Sequence, residues 1–240
     1  MSGDTPGSGS SATDIRTIVS LSSRILGGAD QGDFIWGHGS ARDPEGRGVW
    51  IKESGIGLAE VGPDRVHLVS PEGEVLEGSA GPRHIEYPIH TEIMAARPDV
   101  GGVVHTHSPH AIALAAAGVE LLPVSHAATH FVPPQVPRFT QTANLIRTRE
   151  LGAALAETLG SGSNAVFLVN HGIVTVGPDL QTATVSALLL EAAAQQQLLT
   201  MGFGGPTSWS DDEEALAKRE IIYSPAALHT VWDHLVRRLT

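Results

Sequence analysis

The stretch GGVVHTHSPH, Gly101 to His110, ends an apolar run with two histidines one residue apart. Side chains alternate along a strand, so His105 and His107 share a face and can grip one cation. A third imidazole, His171, stands where the apolar run AVFLVNHGIVTVG breaks at Asn170-His171-Gly172. A carboxylate, Glu86, opens a helical pattern just ahead of the His-x-His segment. A catalytic metal site asks for three protein ligands drawn from His, Asp or Glu, plus an open position. Glu86 in such a set can ligate the ion or leave it to move a proton. The chain has no cysteine, so any metal must be held by nitrogen and oxygen. With 12 histidines in the chain, no single one carries weight; the combination does.

The elements that must position these groups can be read in outline. Ile15, Ile18, Leu21, Ile25 and Leu26 fit a helix with one buried face, closed by Gly27-Gly28. Short strands follow around Val49 to Lys52 and Val66 to Val69, with a hairpin arm at Glu74 to Leu76. Glu86, Ile89, Ile93 and Met94 lie at helical spacing and predict a helix from near Glu86 that stops before Pro98. The His-x-His strand comes next, then a short Ala-rich helix from Pro109 to Ala117. The proline-rich segment Leu121 to Thr142 reads as loop with short strands, the kind of segment in which function often resides. A helix from Arg149 to Leu159 precedes the two β segments around His171. A long helix over Leu180 to Met201 and two closing helices complete the pattern, the first of these opened by Ser210 and acidic residues. Strands within a shell of helices predict one α/β layered domain over 13–240, behind a disordered Gly/Ser-rich tail, Met1 to Ala12.

Composition narrows the partner. Net charge is −11 and no basic block occurs, which argues against nucleic acid and anionic membrane surfaces. The start MSGDTPGSGSSATD lacks a secretory pattern, and no run is long enough to span a bilayer. The expectation is a cytoplasmic protein with a small-molecule substrate.

HIEYPIHTEIMAARPDVGGVVHTHSPHAIALAAAG, followed at a distance by LVNHGIVTVG, resembles the class II aldolase/adducin family from about Leu21 to Leu199. The resemblance implies an αβα sandwich around a mostly antiparallel central sheet, assembled as a homotetramer with interfacial sites. It also implies one divalent cation per subunit (Zn, Mn, Co or Fe) on His105, His107 and His171, with Glu86 as the acid/base that also touches the metal. Adducin-like members lack these ligands; this chain keeps all four.

Departures from the family's sugar-phosphate members point to another substrate. Those members cradle phosphate with a Gly-Asn-x-Ser segment, a Thr-Gly pair and two serines before the acidic residue. The corresponding places here read GHGS with His38, KESG with Ser54 and Gly55, and RHIE with His84. Replacing Ser-Ser by His84-Ile85 removes two donors that a phosphate dianion wants. His38, Ser54, Gly55 and His84 are therefore expected to bind an anionic substrate that is not a phosphorylated sugar, the imidazoles offering donors and flat faces. The segment WGHGSARDP resembles the family branch that decarboxylates hydroxylated aromatic acids, such as dihydroxyphthalate or hydroxypyridine-dicarboxylate. The expected function is a divalent-metal carbon-carbon lyase, a decarboxylase of an ortho-hydroxylated aromatic carboxylic acid. The alternatives are an aldolase on an unphosphorylated hydroxy-carbonyl compound, oxygen-using iron chemistry, and a non-catalytic metal-binding interaction module. Among the remaining residues, Phe34 and Trp36 read as core, Arg42 and Lys52 as surface, and His126 and His130 as loop histidines of open role. His90, one turn after Glu86, reads as bonded to it or turned to solvent.

Overall fold

Alternation along the strands sorts the apolar residues onto two faces, and helices cover both. In the computed structural model, which describes residues 12–239, the order is α1 (Ala12–Gly28), β1 (His38–Arg42), β2 (Val49–Lys52), β3 (Val66–Val69), β4 (Val75–Gly78), α2 (Tyr87–Ala96) and β5 (Gly102–Thr106). Then come α3 (Pro109–Ala116), α4 (His126–Thr129), β6 (Arg138–Phe139), α5 (Arg149–Leu159), β7 (Ala165–Leu168), β8 (Gly172–Gly177), α6 (Leu180–Met201), α7 (Asp212–Ile222) and α8 (Pro225–Arg237). Residues 1–11 of the Gly/Ser-rich segment lie outside the described residues, and α1 begins at Ala12.

The strands form one sheet in the order β4-β3-β2-β1-β5-β8-β7-β6, antiparallel throughout except for the parallel β6–β7 edge pair. This is the expected αβα sandwich. Trp50, Leu68, Val104, Phe167 and Ile173 point to the face covered by α1, α3 and α6. Their neighbours Val49, Ile51, Val69, Val103 and Val174 point to the face covered by α2 and α5. The two-residue period of a strand puts successive side chains in opposite layers. A smaller cluster, Ile25, Val185, Leu228 and Trp232, docks α8 on α1 and α6. No helix among the described residues is long and apolar enough to cross a membrane.

β1 is the element that sequence reading missed. His38-Gly39-Ser40-Ala41-Arg42 has no apolar alternation, yet it is paired on both sides, by β2 and by β5. The pairing places His38 directly across from His105 and Ser40 across from Val103. His38, Ser40 and His105 therefore share the sheet face that α2 covers.

Candidate metal centre

Three elements converge on one end of the sheet. His105 is the penultimate residue of β5, with His107 just beyond the strand end. His171 stands in the turn between β7 and β8, where its amide donates to the Leu168 carbonyl at 3.0 Å. Asn170 takes a left-handed conformation there (φ 61°), which asparagine tolerates better than most residues. Gly172 follows because nothing larger fits: a Cβ on it would stand 2.5 Å from the Thr106 carbonyl oxygen and 3.0 Å from the His105 ring. Glu86 is the N-cap of α2, and Pro88 in the first turn presets the helical backbone.

The ligating nitrogens of His105, His107 and His171 lie within 4.8 Å of one another. Glu86 closes the group, one carboxylate oxygen 3.9 Å from His105 Nε2 and the other 3.8 Å from His171 Nε2. His105 Nδ1 lies 2.9 Å from the Ile173 carbonyl, an acceptor only, so the proton sits on Nδ1 and the Nε2 lone pair is free. The Nε2 atoms of all three histidines are buried without a hydrogen-bond partner. Buried polar nitrogens without partners are rare in native proteins. Three of them facing each other beside a carboxylate form a nitrogen and oxygen set that fits a divalent cation. Burial holds the imidazoles of His105 and His107 below the usual histidine range, and that of His171 at about 4, the state a metal ligand requires. Burial pushes the Glu86 carboxyl up, against the opposing effect of the Ile146 amide, which donates to Oε1 at 2.7 Å.

A second layer of imidazoles backs the first. The His38 ring lies 5.1 Å from that of His105, 4.3 Å from His84 and 4.8 Å from His90, centroid to centroid. His38 Nδ1 is 2.7 Å from His90 Nε2, and His90 Nδ1 is 2.7 Å from Ser40 Oγ. His90 thus neither bonds Glu86 nor faces solvent, contrary to the sequence reading. It is fully buried because α2 lies over β1, and the one-turn spacing from Glu86 aims it at His38. Lys52, expected at the surface, is also fully buried. Its ammonium donates to the carbonyls of Ile56 at 2.8 Å, Glu53 at 3.2 Å and Ile35 at 3.4 Å. Burial lowers its pKa to about 8, and its charge helps hold His38 and His84 neutral.

Across the described residues 19–198, the chain matches the family model described as Class II Aldolase and Adducin N-terminal domain. The chain belongs to this family. Its relatives carry different activities. It is 27% identical to the 3,4-dihydroxyphthalate decarboxylase of Arthrobacter keyseri, over 94% of each chain. It is 31% identical to an L-ribulose-5-phosphate 4-epimerase of Salmonella paratyphi C, over 75% of this chain and 82% of the relative. Among solved structures, an L-fuculose 1-phosphate aldolase from Glaciozyma antarctica superposes with a TM-score of 0.84 at 23% identity, covering 98% of this chain and 93% of the other. An aldolase II superfamily protein from Pseudomonas syringae superposes with a TM-score of 0.82 at 25% identity, covering 95% and 92%.

The other sequence-derived candidates divide. His38 and His84 join the imidazole cluster. Ser54 and Gly55 form the turn after β2; the Ser54 amide donates to the Pro82 carbonyl at 2.7 Å and ties that turn to the segment carrying His84. Arg42 spans inward to the carbonyls of Met94, Arg97 and Val100 and braces the α2–β5 connection. Phe34 and Trp36 are not core residues: they are 86% and 50% exposed, because the backbone at Phe34 turns left-handed (φ 53°) and throws the loop outward. His126 opens α4 and is exposed, whereas His130 is buried with its Nε2 2.9 Å from Ser186 Oγ. Ser40 and His90 escaped sequence reading as parts of one hydrogen-bonded chain. The strand pairing that brings them together is not written in either local pattern.

Proposed function

We propose that this chain is a divalent-metal-dependent carbon-carbon lyase that decarboxylates an ortho-hydroxylated aromatic carboxylic acid, with the ion held by His105, His107, His171 and Glu86. The observation that carries the metal is the trio of buried, unpartnered Nε2 atoms converging beside a carboxylate. When bound, the ion supplies Lewis acidity for electron density moving onto a phenolic oxygen as the bond to the carboxylate breaks. The chain's own groups do the rest.

Glu86, buried and with a raised pKa, is suited to carry a proton and deliver it to the ring carbon that loses carbon dioxide. The Ile146 amide fixes one of its oxygens and leaves the other for that transfer. His38 and His84 offer tilted planar faces and ring nitrogens where the family's sugar-phosphate enzymes present an amide and a hydroxyl. Behind them, the buried Lys52 ammonium provides a fixed positive charge that favours an anionic substrate in an otherwise acidic protein. The likeness to a dihydroxyphthalate decarboxylase over almost the whole chain supports the same reading. The same family resemblance supports a homotetramer.

Carbon dioxide release from hydroxylated benzoic, phthalic and pyridine carboxylic acids tests the proposal. Release from an acid with a hydroxyl ortho to the lost carboxylate, dependent on added divalent metal and lost in Glu86→Gln, is the expected result. Cleavage of hydroxy-carbonyl compounds with no carbon dioxide from any acid would instead make the protein an aldolase.

A further inference from the structure

At the opposite end of the sheet lies a second polar cluster that the metal centre does not use. His171 stands before β8 and Gly177 ends it, a separation of about 20 Å at the rise of an extended strand. There a cavity of about 360 Å³ opens between the start of α6, the turn before β5 and the start of α8. A second cavity of about 290 Å³ adjoins it, and Arg97, His130 and Asn164 line both.

Two buried polar groups on these walls have no partner. One is His130 Nδ1, on a residue only 7% exposed, and the other is Thr182 Oγ1, on a residue 8% exposed. The protonation of His130 can be deduced. Asn164 Nδ2 donates to the His130 carbonyl at 3.2 Å, which fixes the orientation of the amide, and the same nitrogen lies 3.1 Å from His130 Nε2. Nε2 is therefore the acceptor, and Nδ1 carries the hydrogen as an unused donor. Burial lowers the pKa of His130 to about 4, with help from Arg219, so the ring stays neutral at physiological pH. Thr182 lies in the first turn of the 22-residue helix α6; its amide donates to the N-cap carboxylate of Asp179 at 2.7 Å, while its hydroxyl has no partner. Ser186, one turn on, holds the His130 ring from the same helix face. Val176, Pro225 and Leu228 line the same cavity and give it an apolar part.

We propose that this cavity is a second ligand site, for a small carboxylate with an apolar body, whose head group accepts hydrogen bonds from His130 Nδ1 and Thr182 Oγ1. The site is independent of the metal centre and of the reaction assigned to it. Its occupant bridges α6, α8 and the β5–β8 end of the sheet, so binding raises the melting temperature without any metal.

Benzoate is the probe. Titrated into the full chain and followed by amide chemical shifts and calorimetry, it is expected to bind in roughly the millimolar range, with shifts centred on Asn164, Val176 and Thr182. Thr182→Val, which keeps the side-chain shape, and His130→Phe should each weaken binding about tenfold. His105→Ala should leave it unchanged, as should stripping of metal from the parent, which covers the case of an unfolded variant. Shifts confined to the surroundings of His105 and His171, no saturable binding, or unchanged affinity in Thr182→Val would each overturn the proposal.

Discussion

His38 stands directly across the β1–β5 ladder from His105, ring centroids 5.1 Å apart, so one pair of hydrogen-bonded strands fixes both imidazoles. The chain from His38 through His90 to Ser40 continues this arrangement into the protein with two contacts of 2.7 Å. Removing its end, Ser40→Ala, leaves the buried His90 Nδ1 without its hydroxyl partner. The expected cost is about 1–3 kcal/mol of stability, read by urea unfolding. Metal content should stay at the parent level, because neither Ser40 nor His90 belongs to the ligand group. A Ser40→Ala protein as stable as the parent would mean the chain of contacts contributes nothing.

Gly172 gives a sharper test of geometry. Its missing side chain lets β8 run close against the Thr106 carbonyl and the rings of His105 and His107. Gly172→Ala should displace those rings and lower metal affinity by about 10–100-fold, the range typical for disturbed supports of a metal site. A competition titration with a metallochromic chelator reads this directly, and an unchanged affinity would show that the close approach is unimportant.

Much of the site was legible in the sequence because its signals are local. An apolar run ending in His-x-His, a strand break at His171 and a helix start at Glu86 each depend on a few neighbouring residues. What stayed hidden depends on pairing between distant segments. β1 has a glycine, Gly39, and no apolar alternation, and only its neighbours β2 and β5 make it a strand. The burial of Lys52 follows from three carbonyls that fold around its ammonium, two from the turn after β2 and one from Ile35. The exposure of Phe34 and Trp36 inverts what their hydrophobicity suggests, since the backbone at Phe34 turns the loop away from the core.

The pH dependence of stability follows from the buried bases. Burial lowers His84 to about 2, His90 to about 3 and His130 to about 4, against about 6.5 in an unfolded chain. Between these limits the unfolded chain binds protons that the folded one refuses, so stability falls as pH drops below about 6.5. Lys52, lowered by burial to about 8, acts in the same sense at the alkaline end, with stability rising from about 8 towards 10.5. Urea midpoints of the metal-free protein should therefore decrease steadily from pH 7 to pH 5. A flat or rising profile would contradict the burial of neutral imidazoles.

Glu86→Gln separates binding from chemistry. Glutamine retains an oxygen near the imidazoles and can still accept from the Ile146 amide, but it cannot carry the proton. Turnover should fall by about 10²–10⁴-fold, with metal content reduced far less. Equal loss of both in side-by-side assays would make Glu86 a ligand without a proton-transfer role.

Metal content of the purified, metal-replete protein and of its His105→Ala/His107→Ala variant, measured by inductively coupled plasma mass spectrometry, tests the centre most directly. The predicted result is one divalent ion per chain in the parent and none in the variant, with the helical circular dichroism signal retained. An ion-free parent under replete conditions, or equal metal in both proteins, would contradict a cation held by His105, His107, His171 and Glu86.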